Sequence, residues 1–148
     1  MAQGVELDTS VGYALKQAAA ALRTAMETAL RPLDLNVTQY ACLELLGQRP
    51  GLSAAELARG VFVTRQSMQT VLAGLADRGL LARPTTAPQG RALPTALTPD
   101  GAQLLTRASS AVAAVEQRML VALPAGSAGR LQGDLLACTA ALADDRPS

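Results

Sequence analysis

Two helix starts lie close together in the middle of this chain, and no other feature of the sequence constrains its fold as tightly. "LSAAELARGV" opens with Ser53 and places Glu56 three residues on. That is the pattern of a capping box, in which the hydroxyl and the carboxylate each satisfy a free amide of the first turn. Gly60 is expected to end this helix, which is therefore short. Thr64 then caps a second helix running to about Arg78, with Gly79 just beyond its end. A short helix, a turn and a second helix make the helix-turn-helix arrangement. The pattern changes after Gly79, where "LLARPTTAPQGRALPTALT" reads as two short extended runs around "APQG", with Pro88 and Gly90 in the turn. Pro94 falls inside the second run and suits an edge strand. A hairpin straight after a helix-turn-helix is a wing.

The flanks read as long helices. From about Val5 to Leu30 the apolar residues Leu15, Ala18, Ala19, Leu22, Met26 and Leu30 recur at spacings of three and four, and Pro32 stops the run. In "LNVTQYACLELLGQRPG", Thr38 is the expected N-cap, Tyr40, Ala41, Leu43, Leu45 and Leu46 form the helix, and Pro50-Gly51 ends it. A strand beside Leu52 would be too short to read from sequence. Thr98-Pro99-Asp100 combines an N-cap, a proline at the first helical position and an acid in the first turn. Leu104, Leu105, Ala108, Val112, Val115, Met119 and Leu120 continue that helix, "PAGS" breaks it, and a last helix runs from about Ser127 to Leu142. The expected fold is mainly α with a small β-hairpin wing. Residues 1–148 form one domain, with a winged helix-turn-helix at 35–98 and dimerisation helices at 5–30 and 99–145. The terminal helices are rich in Ala, Leu and Val with few charges, too apolar to stand alone in water, so burial in a second copy is expected.

The helix starting at Thr64 has two faces. At about 100° per residue, Met68, Val71, Leu72 and Leu75 fall in one apolar arc, and Arg65, Gln66, Gln69, Thr70 and Ala73 fall in the opposite one. Long donors and acceptors gather near the helix start, followed by small residues. A helix entering a major groove end-first needs that order: Arg and Gln address base edges bidentately, while Ala73 and Gly74 let the backbone approach. The Thr64 hydroxyl and the free amides of the first turn can hold a phosphate. Arg65, Gln66, Ser67, Gln69 and Thr70 are thus candidates for base readout, with Ser53 and Thr64 positioning on phosphates.

Other function classes have little to stand on. The chain has no His, and its two cysteines, Cys42 and Cys138, are far apart. There is no glycine-rich phosphate loop of standard spacing, and the one adjacent acid pair is Asp144-Asp145. No catalytic residue, metal ligand or cofactor is expected, and the protein is not expected to be an enzyme. Apolar clusters are short and interrupted by charges, and no export signal opens the chain, so no membrane partner and a cytoplasmic location are expected. The net charge of +1 divides unevenly. Residues 51–98 carry Arg59, Arg65, Arg78, Arg83 and Arg91 against Glu56 and Asp77, a balance of +3, and the segments on either side carry −1 each. An anionic partner would be met in the middle third.

The stretch "LDLNVTQYACLELLGQRPGLSAAELARGVFVTRQSMQTVLAGLADRGLLARP" resembles the multiple-antibiotic-resistance regulator (MarR) family of winged-helix transcription factors, and "LTPDG" at Leu97–Gly101 matches that family's junction from wing to long helix. The likeness runs from about Leu35 to Leu105, and the flanking helices agree in length and order. It implies a homodimer with intertwined first and last helices and two winged helices astride double-stranded DNA. The expected mode is repression, with DNA affinity lowered by a small aromatic or anionic ligand. Two-fold symmetry would place the recognition helices one DNA turn apart, about 34 Å, on an inverted repeat. Wings of this family usually carry an Asp shortly before an Arg at the tip. Here Gln89 stands at the Asp position, so Arg91 keeps the minor-groove role without the carboxylate that would brace it. Arg83, at the strand's start, is a further phosphate contact or a solvated residue.

Two rival readings share the scaffold. One is a winged-helix protein-interaction dimer without DNA binding, motivated by the modest charge and the missing wing Asp. The other is a thiol-based redox sensor, which would need Cys138 to meet its mate across a dimer axis. Cys42, within "QYACLELL", and Cys138, beside Leu135, Leu136 and Leu142, are both expected to pack, since neither stretch favours a thiolate. For an effector, the family's cleft lies between the dimer helices and the winged helix. Tyr13, Tyr40 and Phe62 are the aromatics available to line it, each also a candidate packing residue.

Overall fold

The computed structural model describes residues 4–82 and 95–143. After a 3-10 turn at Leu7–Thr9, helix α1 spans Val11–Leu30 and ends in a second 3-10 turn at Arg31–Leu33. Helices α2 (Val37–Gln48), α3 (Ala54–Val61) and α4 (Arg65–Asp77) follow, then strands β1 (Leu81–Ala82) and β2 (Ala96–Leu97), and helices α5 (Pro99–Leu120) and α6 (Ser127–Leu142). The strands pair antiparallel, Leu81 opposite Leu97 and Ala82 opposite Ala96, as a hairpin requires. Arg83, Gln89, Arg91 and Pro94, the expected wing residues, lie outside the described residues.

The described residues form two compact units dividing at Val115–Glu116, within α5. The first holds one apolar core. Leu43 and Leu46 of α2, Leu57 and Ala58 of α3, and Met68, Leu72 and Leu75 of α4 are buried together with Leu30, Leu35, Cys42, Leu80, Leu81 and Ala108. In the second unit α6 buries no residue, and Leu131, Leu135, Leu136 and Leu142 are exposed in the single chain. Cys138, expected to pack, is exposed as well.

Local chemistry moves three helix boundaries from their expected places. The first helix begins at Val11 rather than near Val5, because the Ser10 hydroxyl accepts a hydrogen bond from the Tyr13 amide at 3.0 Å and caps the chain there. The second is capped by Asn36 and not Thr38. Asn36 Oδ1 accepts from the Gln39 amide at 2.7 Å while Gln39 Oε1 accepts from the Asn36 amide at 2.9 Å, a closed capping box that leaves Thr38 inside the helix. Gly60 does not end α3. It stays helical, and its missing side chain makes room for Leu45 of α2, which would lie 2.7 Å from an added Cβ. The helix stops one residue after Val61, at Phe62 in the left-handed region with φ 62°.

The start of α5 is bound to the end of the helix-turn-helix. The Thr98 hydroxyl accepts from the Gly101 amide at 3.0 Å and donates to the Gly79 carbonyl at 2.6 Å, while the Thr98 amide donates to the Leu80 carbonyl at 3.1 Å. A Cβ on Gly101 would overlap that same Leu80 carbonyl oxygen. The "LTPDG" segment is therefore a joint: a hydroxyl that caps one element and bonds another, and a glycine that lets them touch.

Candidate nucleic-acid interface

The polar end of α4 is built on a buried base. Met68, Leu72 and Leu75 are fully enclosed, and Val71 packs against the same cluster, which fixes the helix's rotation about its axis. Arg65, Gln66, Gln69, Thr70 and Ala73 are consequently held on the exposed face. Thr64 caps the helix, its hydroxyl oxygen accepting from the Ser67 amide at 3.0 Å. That bond uses the oxygen's acceptor role and leaves the hydroxyl proton for a phosphate. The amides of Arg65 and Gln66 point out of the helix start and add a positive partial charge. Thr70 donates weakly to the Gln66 carbonyl at 3.4 Å, within its own helix.

Ser53 caps α3 in the expected capping box, accepting from the Glu56 amide at 3.1 Å and donating its own amide to Glu56 Oε1 at 3.0 Å. Hydrogen bonds from the Ser53 backbone and side chain hold the Glu56 carboxyl below its ordinary pKa. A phosphate brought to Ser53 would meet this carboxylate.

Two functional placements were not legible from sequence. Arg78, one of the five central cations, is used structurally: its guanidinium donates to the Asp34 carbonyl at 2.7 Å and lies 4.0 Å from the Asp34 carboxylate, tying the end of α4 to the chain entering α2. Glu44 links α2 to α5. Its carboxylate accepts from Ser109 Oγ and Gln48 Nε2, each at 2.6 Å, and burial, which pushes its pKa up, is outweighed by the hydrogen bonds from Ser109, Gln48 and Tyr40 that hold it below the usual value. Neither partner is close in sequence to a recognisable signal, since Asp34 and Ser109 meet Arg78 and Glu44 only through the fold.

The three aromatics are dispersed. Tyr13 lines an apolar hollow of about 320 Å³ with Val5, Leu7 and Lys16, and neither Tyr40 nor Phe62 reaches it. Tyr40 is half-buried against the core and bonds Glu44, and Phe62 stands on the α3–α4 turn, 89% exposed.

Cys42 is sealed in the core, its Sγ 4.0 Å from Met68 Sδ, and burial pushes its thiol up to about 11. The folded chain therefore keeps this proton to higher pH than the unfolded one. Stability from the neutral thiol is complete at neutral pH and declines as pH rises past 9.0. A thiol reagent at pH 7–8 should leave Cys42 unmodified until denaturant is added; rapid native-state labelling of Cys42 by mass spectrometry would contradict this.

A short capped helix, a tight turn, a second helix with a polar outer face and a pair of antiparallel strands after it together define a winged helix-turn-helix. The model of the MarR family matches residues 33–92. The HTH-type transcriptional repressor Rv2887 of Mycobacterium tuberculosis (strain ATCC 25618 / H37Rv) is 45% identical over 122 residues, 82% of this chain and 88% of the relative. The crystal structure of the Mycobacterium tuberculosis MarR family protein Rv2887 in complex with DNA superposes with a TM-score of 0.76 at 40% identity, covering 88% of this chain and 98% of that one. The same protein in complex with salicylic acid gives a TM-score of 0.73 at 42% identity, covering 88% and 97%. The chain belongs to the MarR family of transcriptional regulators.

Proposed function

We propose that this protein is a cytoplasmic, homodimeric repressor that binds an inverted-repeat operator in duplex DNA and is released by a small aromatic acid. The observation carrying this reading is the exposed polar arc of α4, held outward by the enclosed Met68, Leu72 and Leu75. Arg65, Gln66, Ser67, Gln69 and Thr70 read base edges in the major groove, and Thr64, with a smaller share from Ser53, positions on phosphates. Arg91 serves the wing, and Arg83 adds a phosphate contact. Complexes of the related protein Rv2887 with DNA and with salicylic acid support both halves of the proposal. Dimerisation accounts for the apolar residues that a single chain leaves in water, among them Val11, Leu15 and Tyr13 on α1 and Leu135, Leu136 and Leu142 on α6. Tyr13 and its hollow are the part of the expected effector site that a planar acid could use, with Lys16 as its cation. No helix among the described residues is long and apolar enough to cross a membrane, and no group of three or more Cys, Asp or Glu there could hold a metal.

The test is a salt-titrated binding assay of the dimer on the DNA flanking its own gene, beside random duplex of equal length. Selective binding that falls steeply with salt, and weakens when salicylate is added, is the expected result. Binding no better than random down to low salt would favour the protein-interaction reading instead.

Gly74 offers a sharper check on orientation. Nothing lies within 4 Å of an added Cβ there, and the residue is exposed on α4. Gly74→Ala should therefore stabilise the fold by about 0.5–1 kcal/mol through helix propensity. The same methyl should weaken operator binding, because this face approaches the DNA backbone. A gain in both stability and affinity would turn the face away from DNA.

A further inference from the structure

Phe62 combines two features that are each unfavourable in an isolated chain. It is 89% exposed, the most exposed of the large apolar side chains described, and its backbone is left-handed at φ 62°. The left-handed region is disfavoured for any residue with a Cβ, and glycine would fill this turn without strain. The conformation is held by the Val63 amide, which donates to the Ala58 carbonyl at 3.0 Å, and by the Phe62 amide, which reaches the Arg59 carbonyl at 3.4 Å. Val63 turns inward and packs on the core that contains Met68, the geometry of a hydrophobic staple at the start of α4, so Phe62 is presented to solvent. Packing thus requires the turn and does not require the ring.

The ring's neighbours indicate what meets it. Its Cα is at most about 7.6 Å from that of Thr64, which caps the helix end assigned to the major groove. Arg59 and Arg65, both exposed, stand three residues to either side. An exposed apolar ring flanked in sequence by two exposed cations matches the make-up of a DNA strand, where phosphates alternate with the carbons of deoxyribose and the thymine methyl projects into the major groove. We infer that Phe62 is a DNA contact that lays its ring on the apolar part of a nucleotide, a thymine C5 methyl or a deoxyribose face, while Arg59 and Arg65 hold the flanking phosphate and base. This rests on the DNA-binding reading above and adds to it a specificity-determining residue outside the recognition helix.

The test uses the intact dimer carrying F62G or F62N, two residues that accept the left-handed turn. Both variants should melt at or above the wild-type temperature, since the turn is kept and strain is relieved. Operator affinity should fall roughly three- to thirtyfold, with the slope of log affinity against log salt unchanged, because no phosphate charge is lost. Operator in which deoxyuridine replaces thymine separates the two sources. Weaker wild-type binding with no further loss in F62G identifies the methyl, and indifference of both proteins identifies the sugar. Wild-type affinity in both variants would overturn the inference, as would a loss accompanied by dissociation into monomers, which would make the ring a subunit contact. Wild-type protein that does not distinguish operator from random duplex would instead remove the DNA-binding reading, and this inference with it.

Discussion

Gly101→Ala is expected to lower the stability of the protein by about 2–3 kcal/mol, although alanine is the better helix former. In the first turn of an ordinary helix the substitution would be neutral or stabilising by up to about 1 kcal/mol. Here the added methyl would overlap the Leu80 carbonyl oxygen, a backbone atom that has no rotamer to change. Relief would require the start of α5 to move off the residues leaving α4, and that movement would break the Thr98 hydroxyl's bond to the Gly79 carbonyl and the Thr98 amide's bond to Leu80. Gly74→Ala, with open space around it, is the internal comparison and should have the opposite sign. Urea denaturation of both variants decides the matter. A Gly101→Ala variant as stable as the wild type would show that the close approach is not a constraint. Because the joint connects the helix-turn-helix to α5, the helix proposed to join the dimer, operator affinity should fall further than the loss of folded protein alone accounts for.

Arg65→Ala should weaken operator binding by about 1–3 kcal/mol and relax base preference, whereas Arg91→Ala should weaken binding to all sequences alike and reduce the salt slope by about one. The difference follows from the roles proposed for the two side chains. Arg65 occupies the first position of α4, on a helix whose rotation is set by Met68, Leu72 and Leu75, so its side chain leaves from the exposed face. A side chain leaving a fixed helix face can bring a bidentate donor to a base edge and discriminate between bases, whereas the wing role proposed for Arg91 neutralises a phosphate without base-specific geometry. Binding of each variant to operator and to random duplex, over a salt series, separates the two roles. Equal losses on both DNAs for both variants would break the assignment.

Much of this architecture was present in short-range chemistry. Ser53 with Glu56, Thr64, and Thr98 with Pro99 each declare a helix start within four residues, and the structure begins helices at each of them. The 3.6-residue repeat of Met68, Val71, Leu72 and Leu75 was enough to orient α4 and hence to place Arg65, Gln66, Gln69 and Thr70 on its outer face, because the buried side of an amphipathic helix dictates the exposed one. The local readings failed where two signals compete or a distant element intervenes. Asn36 and Thr38 are both good caps, and Gln39 favoured Asn36 by closing the box. Gly60 looks like a terminator, yet Leu45 of another helix makes it a contact surface.

Tertiary structure alone decided which charges are free and which are engaged. Arg65 and Arg78 look alike in sequence, one at each end of the same helix, but Arg78 is bound to Asp34 while Arg65 stands in solvent. It decided that Glu44 joins two helices through Ser109, that Cys42 is sealed against Met68 while Cys138 is exposed, and that Phe62 sits exposed and left-handed at the start of α4. The physical reason is range. Caps, turns and periodicity act over three or four residues and are written wherever the right side chains recur, whereas a hydrogen bond between residues 65 positions apart exists only once the core has brought them together.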